Sequence, residues 1–241
     1  MERRSVVGQA VADHIDTHLV RGEAGRTPDA AWYRTGAPTE HLNGVVWLSG
    51  SADAEFVRRL REGFAPTPFL WNAWPELNRG RDDAALLAAG LEFQEEEPLM
   101  TMPLDRAPRG ETAAVVDVTN DSRIQHWLRV WIGDPSLPDM PDMAAAVRLA
   151  GNAARYLLLE QDGVPASCAT VVVAGEVGAV ENVVTRSDLR RRGLGTTVTV
   201  AALQHAHAMG ARRAVLTASP DGEGIYRRLG FDPVTTVRRY A

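Results

Sequence analysis

Six consecutive residues, Arg190-Arg191-Arg192-Gly193-Leu194-Gly195, stand between a β-branched run that includes Val183 and Val184 and a long alanine-rich segment. A strand, a tight glycine turn and a helix start, in that order, bring several unpaired main-chain N–H groups to one point. The helix dipole adds a partial positive charge there, worth ~0.3–1 kcal/mol to a nearby anion. Two glycines let phosphate oxygens approach the main chain and the arginines raise the local potential, so the hexapeptide reads as a pyrophosphate cradle. A dinucleotide site does not fit. Its third glycine would fall at Val198, and the turn comes near the end of the chain rather than in the first strand–helix unit.

A second motif follows in the segment TASPDGEGIYRRLGF, which starts at Thr217. Ser219 to Gly224 reads as a turn-rich loop, and Ile225 to Leu229 as a short helix stopped by Gly230 and followed by a strand from Phe231. Together the two motifs resemble the GNAT superfamily of acyl-CoA-dependent N-acyltransferases, over roughly residues 112–240. The resemblance implies an α/β (α+β) fold: a mixed, mostly antiparallel sheet flanked by helices. It implies acetyl-CoA as cosubstrate, no metal, and a primary amine of a small molecule or peptide as acceptor. It places the main chain of Val183, Val184 and Thr185 along the pantetheine arm, and Arg190, Arg191, Arg192, Gly193, Leu194, Gly195 and Thr196 around the pyrophosphate. Ser219 falls where several members touch the cofactor, and Tyr226 where the general acid sits beside the thioester sulfur. With reference pKa values of ~8.5 for a thiol and ~10 for tyrosine, that proton transfer is uphill by ~2 kcal/mol in water.

An amine acceptor also has to lose a proton. Strand alternation puts positions 177, 179, 181, 183 and 185 on one face, and Glu181 lies there among valines. It is either a base for the amine or a structural hydrogen-bonding group where the strands part. Asn182, on the other face, reads as structural. Asp134, Asp139 and Asp142 form a proline-rich acidic loop that reads as solvated and could otherwise draw in a cationic amine. His14 and His18 share a helical face, but Ile15 stands where a zinc-protease motif needs glutamate, so they read as solvated. His205 and His207 diverge on their helix, and Cys168 reads as a small core residue. No Gly-x-Ser-x-Gly elbow is present.

The elements that position these residues fall into two groups. All six tryptophans lie in the first 131 residues, whereas the strongest β-branched runs follow residue 112. The stretch LDRAPRGE, from Leu104 to Glu111, has no periodicity and reads as the seam. Residues 1–108 are expected to be a degenerate GNAT-like domain and 109–241 the catalytic domain. The first unit shows a helix near 8–20, a strand at 42–48, a helix at 52–61, a strand at 68–71, a helix at 81–89 and a strand at 98–102; Arg21 to Gly25 contains glycines, yet no convincing strand leads into it. The second shows a strand at 113–118, helices at 122–131 and 143–149, a hairpin of 155–160 and 166–173 around Asp162-Gly163, and a strand at 176–185. A helix at 195–209, a strand at 211–217, a short helix and a strand at 231–237 complete it.

Composition narrows the function classes. The 241 residues are 45% hydrophobic and 24% charged, as in an ordinary globular protein. The balance of 26 basic against 31 acidic residues gives −5, which disfavours nucleic acid or an anionic membrane as partner. Every basic residue is arginine, so a catalytic lysine, a Schiff base and a P-loop are excluded. With one cysteine, no 18-residue apolar run and no apolar stretch after the charged first residues, the expectation is a soluble, cytoplasmic protein; an oligomer is possible and its state is left open. The resulting expectation is an N-acetyltransferase with Tyr226 as general acid; the alternative is a non-catalytic acyl-CoA sensor or interaction module.

Overall fold

The computed structural model describes residues 2–27, 30–48, 53–78 and 81–241. In chain order the elements are α1 (Glu2–Leu19), β1 (Glu23–Arg26), β2 (Ala30–Arg34), β3 (Asn43–Leu48), α2 (Ala54–Phe64), β4 (Leu70–Ala73), α3 (Pro75–Asn78), α4 (Arg81–Ala88) and β5 (Phe93–Pro103). Then come β6 (Val115–Asp117), α5 (Ile124–Ile132), α6 (Pro141–Arg148), β7 (Ala154–Gln161), β8 (Val164–Ala174), β9 (Val177–Thr185), α7 (Leu194–Ala208), β10 (Arg213–Thr217), α8 (Pro220–Leu229) and β11 (Asp232–Tyr240). None of the described helices is long and apolar enough to cross a membrane.

The turn chemistry placed most of these breaks correctly. Asp162 and Gly163 both adopt positive φ, 54° and 75°, as the tight β7–β8 hairpin requires. Gly210 and Gly230 end α7 and α8 in left-handed conformations. Three expectations are corrected. Residues 23–26, where no strand was expected, form β1 against β2. The supposed loop from Ser219 to Gly224 is mostly the first turns of α8, because Pro220 is pre-organised for a helix start and needs no N–H there. Strands β5 and β11 run well beyond 98–102 and 231–237, since they pair with each other along their length.

The strands form one sheet in the order β1-β2-β3-β4-β11-β5-β10-β9-β8-β7-β6. Only β3–β4 and β9–β10 are parallel, so the sheet is mixed and mostly antiparallel, as expected. Each parallel pair is joined by a helix, α2 in the first and α7 in the second, and each is preceded by an antiparallel meander: β1-β2-β3 and β7-β8-β9. The two halves exchange a strand. The last strand of the chain, β11, lies beside β4 of the first half, while β5 lies beside β10 of the second.

Helices cover both faces. α7 and α8 bury Val198, Ala202, Tyr226 and Leu229 on one side. On the other, α1 packs Val7, Val11 and Ile15 against Val177, Ala179 and Val215, and Asp13 of α1 accepts two hydrogen bonds from Arg213 at 3.1 and 3.2 Å. The N-terminal helix is thereby fixed to the strands of the second half.

Expressed alone, residues 109–241 lack the strand that separates β10 from β11, so β11 has no neighbour and apolar side chains at the centre of the sheet meet water. The fragment is expected to be insoluble or to melt without a cooperative transition in circular dichroism. A soluble fragment with a sharp thermal transition would contradict this account.

Candidate active site

The site begins where β9 and β10 part. They pair at Val177–Arg213, Gly178–Ala214 and Ala179–Val215, and no further. Beyond that point β10 continues against β5 and β9 continues against β8, so one edge of β9 turns unpaired main-chain groups toward the opening. The divergence coincides with a bulge. Between the pairs Thr170–Glu181 and Cys168–Val184, β9 holds one residue more than β8, and Asn182 takes φ of 52°. Its side chain donates to Thr170 Oγ1 at 3.2 Å, the structural role expected of it.

The bulge corrects the alternation read from sequence. Glu181 faces the α1 side with Val177 and Ala179, but Val183 is turned to pack with the α7 core. One added residue inverts the faces of everything after it.

Past β9 the chain makes a 3-10 turn at Ser187–Leu189 and enters α7. Gly193 is the N-cap with φ of 80°, and no side chain caps the helix. The first N–H groups of α7 are therefore left for an external acceptor. They line a cleft of about 810 Å³ that runs from Arg190, Arg191, Gly193, Leu194, Gly195 and Thr196 to Val183, Val184 and Thr185, and on to Ser219 and Tyr226. A Cβ at position 195 would stand 3.3 Å from Thr185 Oγ1, so glycine there keeps the cleft floor open. Arg228 adds a third guanidinium and Asp221 a carboxylate. Arg192 is exposed and lies outside the lining.

The cleft shares Val183, Val184, Ser219 and Tyr226 with a second cavity of about 230 Å³. This cavity is polar and is built by both halves: His14 and His18 of α1, Tyr33 of β2, Asn72 of β4 and Glu97 of β5 face Glu181 of β9, Thr217 of β10 and Arg239 of β11. Tyr226 stands between the two spaces, its ring close enough that a Cβ on Gly222 would lie 3.0 Å from Cε2. Burial, and then the Glu97 carboxylate, push the Tyr226 phenol up to about 12.

Charge in the second cavity is organised by two buried arginines. Arg21, just after α1, forms an ion pair with Glu181, whose other oxygen is 3.7 Å from His18 Nε2. Burial works against the Arg21 charge, but Glu181 outweighs it and the guanidinium stays ionised. Arg239 knits four strands together. It donates to Glu97 at 2.6 Å, Glu95 at 2.7 Å, Thr217 Oγ1 at 2.7 Å and Asn72 Oδ1 at 3.3 Å.

The reading of His14 and His18 as solvated is overturned: they are 3% and 8% exposed. They continue the α1 stripe begun by Val7 and Val11, at helical spacing, and that stripe faces the sheet. The acidic loop is likewise elsewhere. Asp139 pairs with Arg129, Asp134 accepts from Ser136, and neither they nor Asp142 line the cavity. Cys168 is the core residue expected, its thiol pushed up by burial.

Removing one member of the Arg21–Glu181 pair leaves a buried charge uncompensated, a loss of about 3–5 kcal/mol. Arg21→Met is expected to lower the urea-unfolding free energy by that order, and Arg21→Met with Glu181→Met to recover most of it. Additive losses in the double-mutant cycle would show that the two groups are not coupled.

Residues 122–231 match the model of the acetyltransferase (GNAT) family. No curated protein matches the chain in sequence. Among solved structures, a GCN5-related N-acetyltransferase from Kribbella flavida superposes with a TM-score of 0.67 at 22% identity, covering 98% of this chain and 95% of that one. A tandem GNAT protein from the clavulanic acid biosynthesis pathway gives a TM-score of 0.54 at 15% identity over 97% and 94%. A functionally unknown conserved protein from Staphylococcus epidermidis gives 0.62 at 10% identity over 92% and 94%. The arginine–glycine turn, the parted strands and the tyrosine-bearing helix thus all lie in the segment that matches the GNAT acetyltransferase family model, and the chain is an acyltransferase.

Proposed function

We propose that the chain transfers the acetyl group of acetyl-CoA to a primary amine, with 109–241 as the catalytic domain and 1–108 as a degenerate GNAT-like domain. The observation that carries this reading is the uncapped start of α7, whose N–H groups open on a cleft that leads past Tyr226 into a polar second cavity. A contrast within the chain supports it. The matching helix of the first half, α2, is capped by the Asp53 carboxylate, which accepts from Phe56 N at 2.8 Å. That carboxylate occupies the place of an incoming anion and repels it, while Gly193 leaves the place free.

Gly193 to Thr196 would hold the pyrophosphate with main-chain N–H groups, Arg190 and Arg191 would flank it, and the unpaired edge at Val183 to Thr185 would hold the pantetheine arm. Acetyl-CoA, when bound, supplies an acyl carbon activated by a thiolate leaving group. Tyr226 stays protonated throughout the neutral range and donates a hydrogen bond toward the sulfur. Full proton transfer from a phenol near 12 to a thiolate near 8.5 is uphill by ~5 kcal/mol. Tyr226 therefore stabilises charge as it develops and surrenders its proton only as the C–S bond breaks. Ser219, at the junction of the two cavities, offers a hydroxyl to the same region. Glu181 supplies negative charge on the acceptor side, held in place by Arg21.

Calorimetry with coenzyme A tests the cradle. Arg191→Glu is expected to weaken binding by at least about tenfold, or ~1.4 kcal/mol; unchanged affinity would remove the diphosphate from this turn. Tyr226→Phe is expected to bind coenzyme A as the parent does while thiol release to amines falls about 100-fold. Tight binding without thiol release to any amine would favour a sensor over an enzyme.

A further inference from the structure

His18 is held in one orientation. Its Nδ1 lies 2.8 Å from the carbonyl oxygen of His14, an atom that can only accept, so Nδ1 carries a proton whatever the charge of the ring. In the neutral ring the lone pair is then on Nε2, which lies 3.7 Å from Glu181 Oε1. Two hydrogen-bond acceptors that face each other at this separation cannot bond directly. A group with two N–H bonds between them satisfies both.

The surroundings keep the ring neutral. The rings of His14 and Tyr33 pack against it, with centroids 4.3 and 5.1 Å away. Arg21 after α1 and Arg239 on β11 face it as cations, and Glu181 on β9 as the anion. Burial first, and Arg21 next, hold the His18 imidazole well below its ordinary value, and burial and His18 do the same for His14. His14 Nε2 is itself buried with no hydrogen-bond partner, so the pair is a store of unused basic nitrogen on the acceptor cavity.

We propose that His18 Nε2 and Glu181 Oε1 together seat the two N–H bonds of a primary amine, and that His18 is the base that removes its proton. The proposal rests on the acyl-transfer reading. The amine lone pair, the one valence the two acceptors leave free, forms the C–N bond to the acyl carbon. The electron pair of the C–S bond leaves on sulfur, one N–H proton passes to His18 Nε2, and the imidazolium returns it to water as product leaves. Glu181 is a positioning residue in this scheme, held in place by its ion pair with Arg21. A secondary amine has one N–H and satisfies only one of the two acceptors, so the site selects primary amines.

Benzylamine, tyramine and glycine methyl ester, each with its N-methyl counterpart, serve as probes for thiol release from acetyl-CoA. The primary amines are expected to react at least about tenfold faster than their N-methyl forms, and His18→Gln to lower kcat/KM about 100-fold while coenzyme A affinity is unchanged. The parent profile is expected to gain the dependence on one further proton below about pH 6.5, and the variant to lose it. Nitrogen-15 NMR of the parent protein is the second arm: at pH 7 His18 is expected to be neutral with its proton on Nδ1, and benzylamine added to the coenzyme A-loaded protein to shift the Nε2 resonance. Parental rates and pH profile in His18→Gln, a protonated His18 at pH 7, or an Nε2 unmoved by benzylamine would overturn the proposal. Failure of coenzyme A to bind would instead remove the acyl-transfer reading, while the imidazole tautomer would be read independently.

Discussion

The separation of β9 from β10 after Ala179 and Val215 is the constraint from which the site follows. Two parallel neighbours in the middle of a sheet ordinarily keep pairing, since a buried unpaired peptide group costs about 1–3 kcal/mol. Here the cost is limited on both sides. β10 continues its ladder with β5, β9 continues with β8, and the bulge at Asn182 turns β9 aside. What remains unpaired is one edge of β9, and a cleft open to ligand and water is where such an edge is tolerated. The start of α7 contributes a second set of unpaired donors to the same cleft. A ligand able to accept from both is favoured over water because the donors are already fixed in position.

A sheet that splits at its centre needs reinforcement elsewhere, and the exchanged strands provide it. β5 and β11 cross between the halves, so neither half closes its part of the sheet without the other. Arg239 on β11 adds hydrogen bonds to side chains of β4, β5 and β10 at the point nearest the opening. α1 then lies across the other face, anchored to β10 through Asp13 and Arg213. The first half has a capped α2, yet it contributes His14, His18, Tyr33, Asn72 and Glu97 to the second cavity. That division of labour explains why its polar side chains are buried at all.

Much of this was legible in local sequence, and the rest was not, for identifiable reasons. The glycine turn at 193–195, the Asp162-Gly163 hairpin and the stops at Gly210 and Gly230 depend on the conformation of single residues, which the residue types dictate. The cleft residues followed from the motif because they are contiguous in the chain. The bulge at Asn182 was invisible: asparagine tolerates positive φ, but nothing in the alternation of valines requires it, and so the face assignment of Val183 inverted. Arg21 and Glu181 meet only through the tertiary fold. His14 and His18 are the instructive miss. Val7, Val11, His14 and His18 advance by four, three and four residues, the spacing of one buried stripe, and the histidines broke it only by their polarity.

The electrostatics of the second cavity connect these observations. Glu97 and Glu181 are each paired with a guanidinium, Arg239 for the first and Arg21 for the second. The same two cations sit beside His14 and His18 and suppress their protonation. One arrangement therefore pairs each carboxylate with a guanidinium and holds the imidazoles neutral within a single cavity. On the proposed reading, that combination is what lets the cavity accept N–H bonds and take up a proton. Each arginine serves both purposes because it pairs with a carboxylate and acts electrostatically on the histidines, from an element that only the exchange of strands and the crossing of α1 bring to the parted edge of β9.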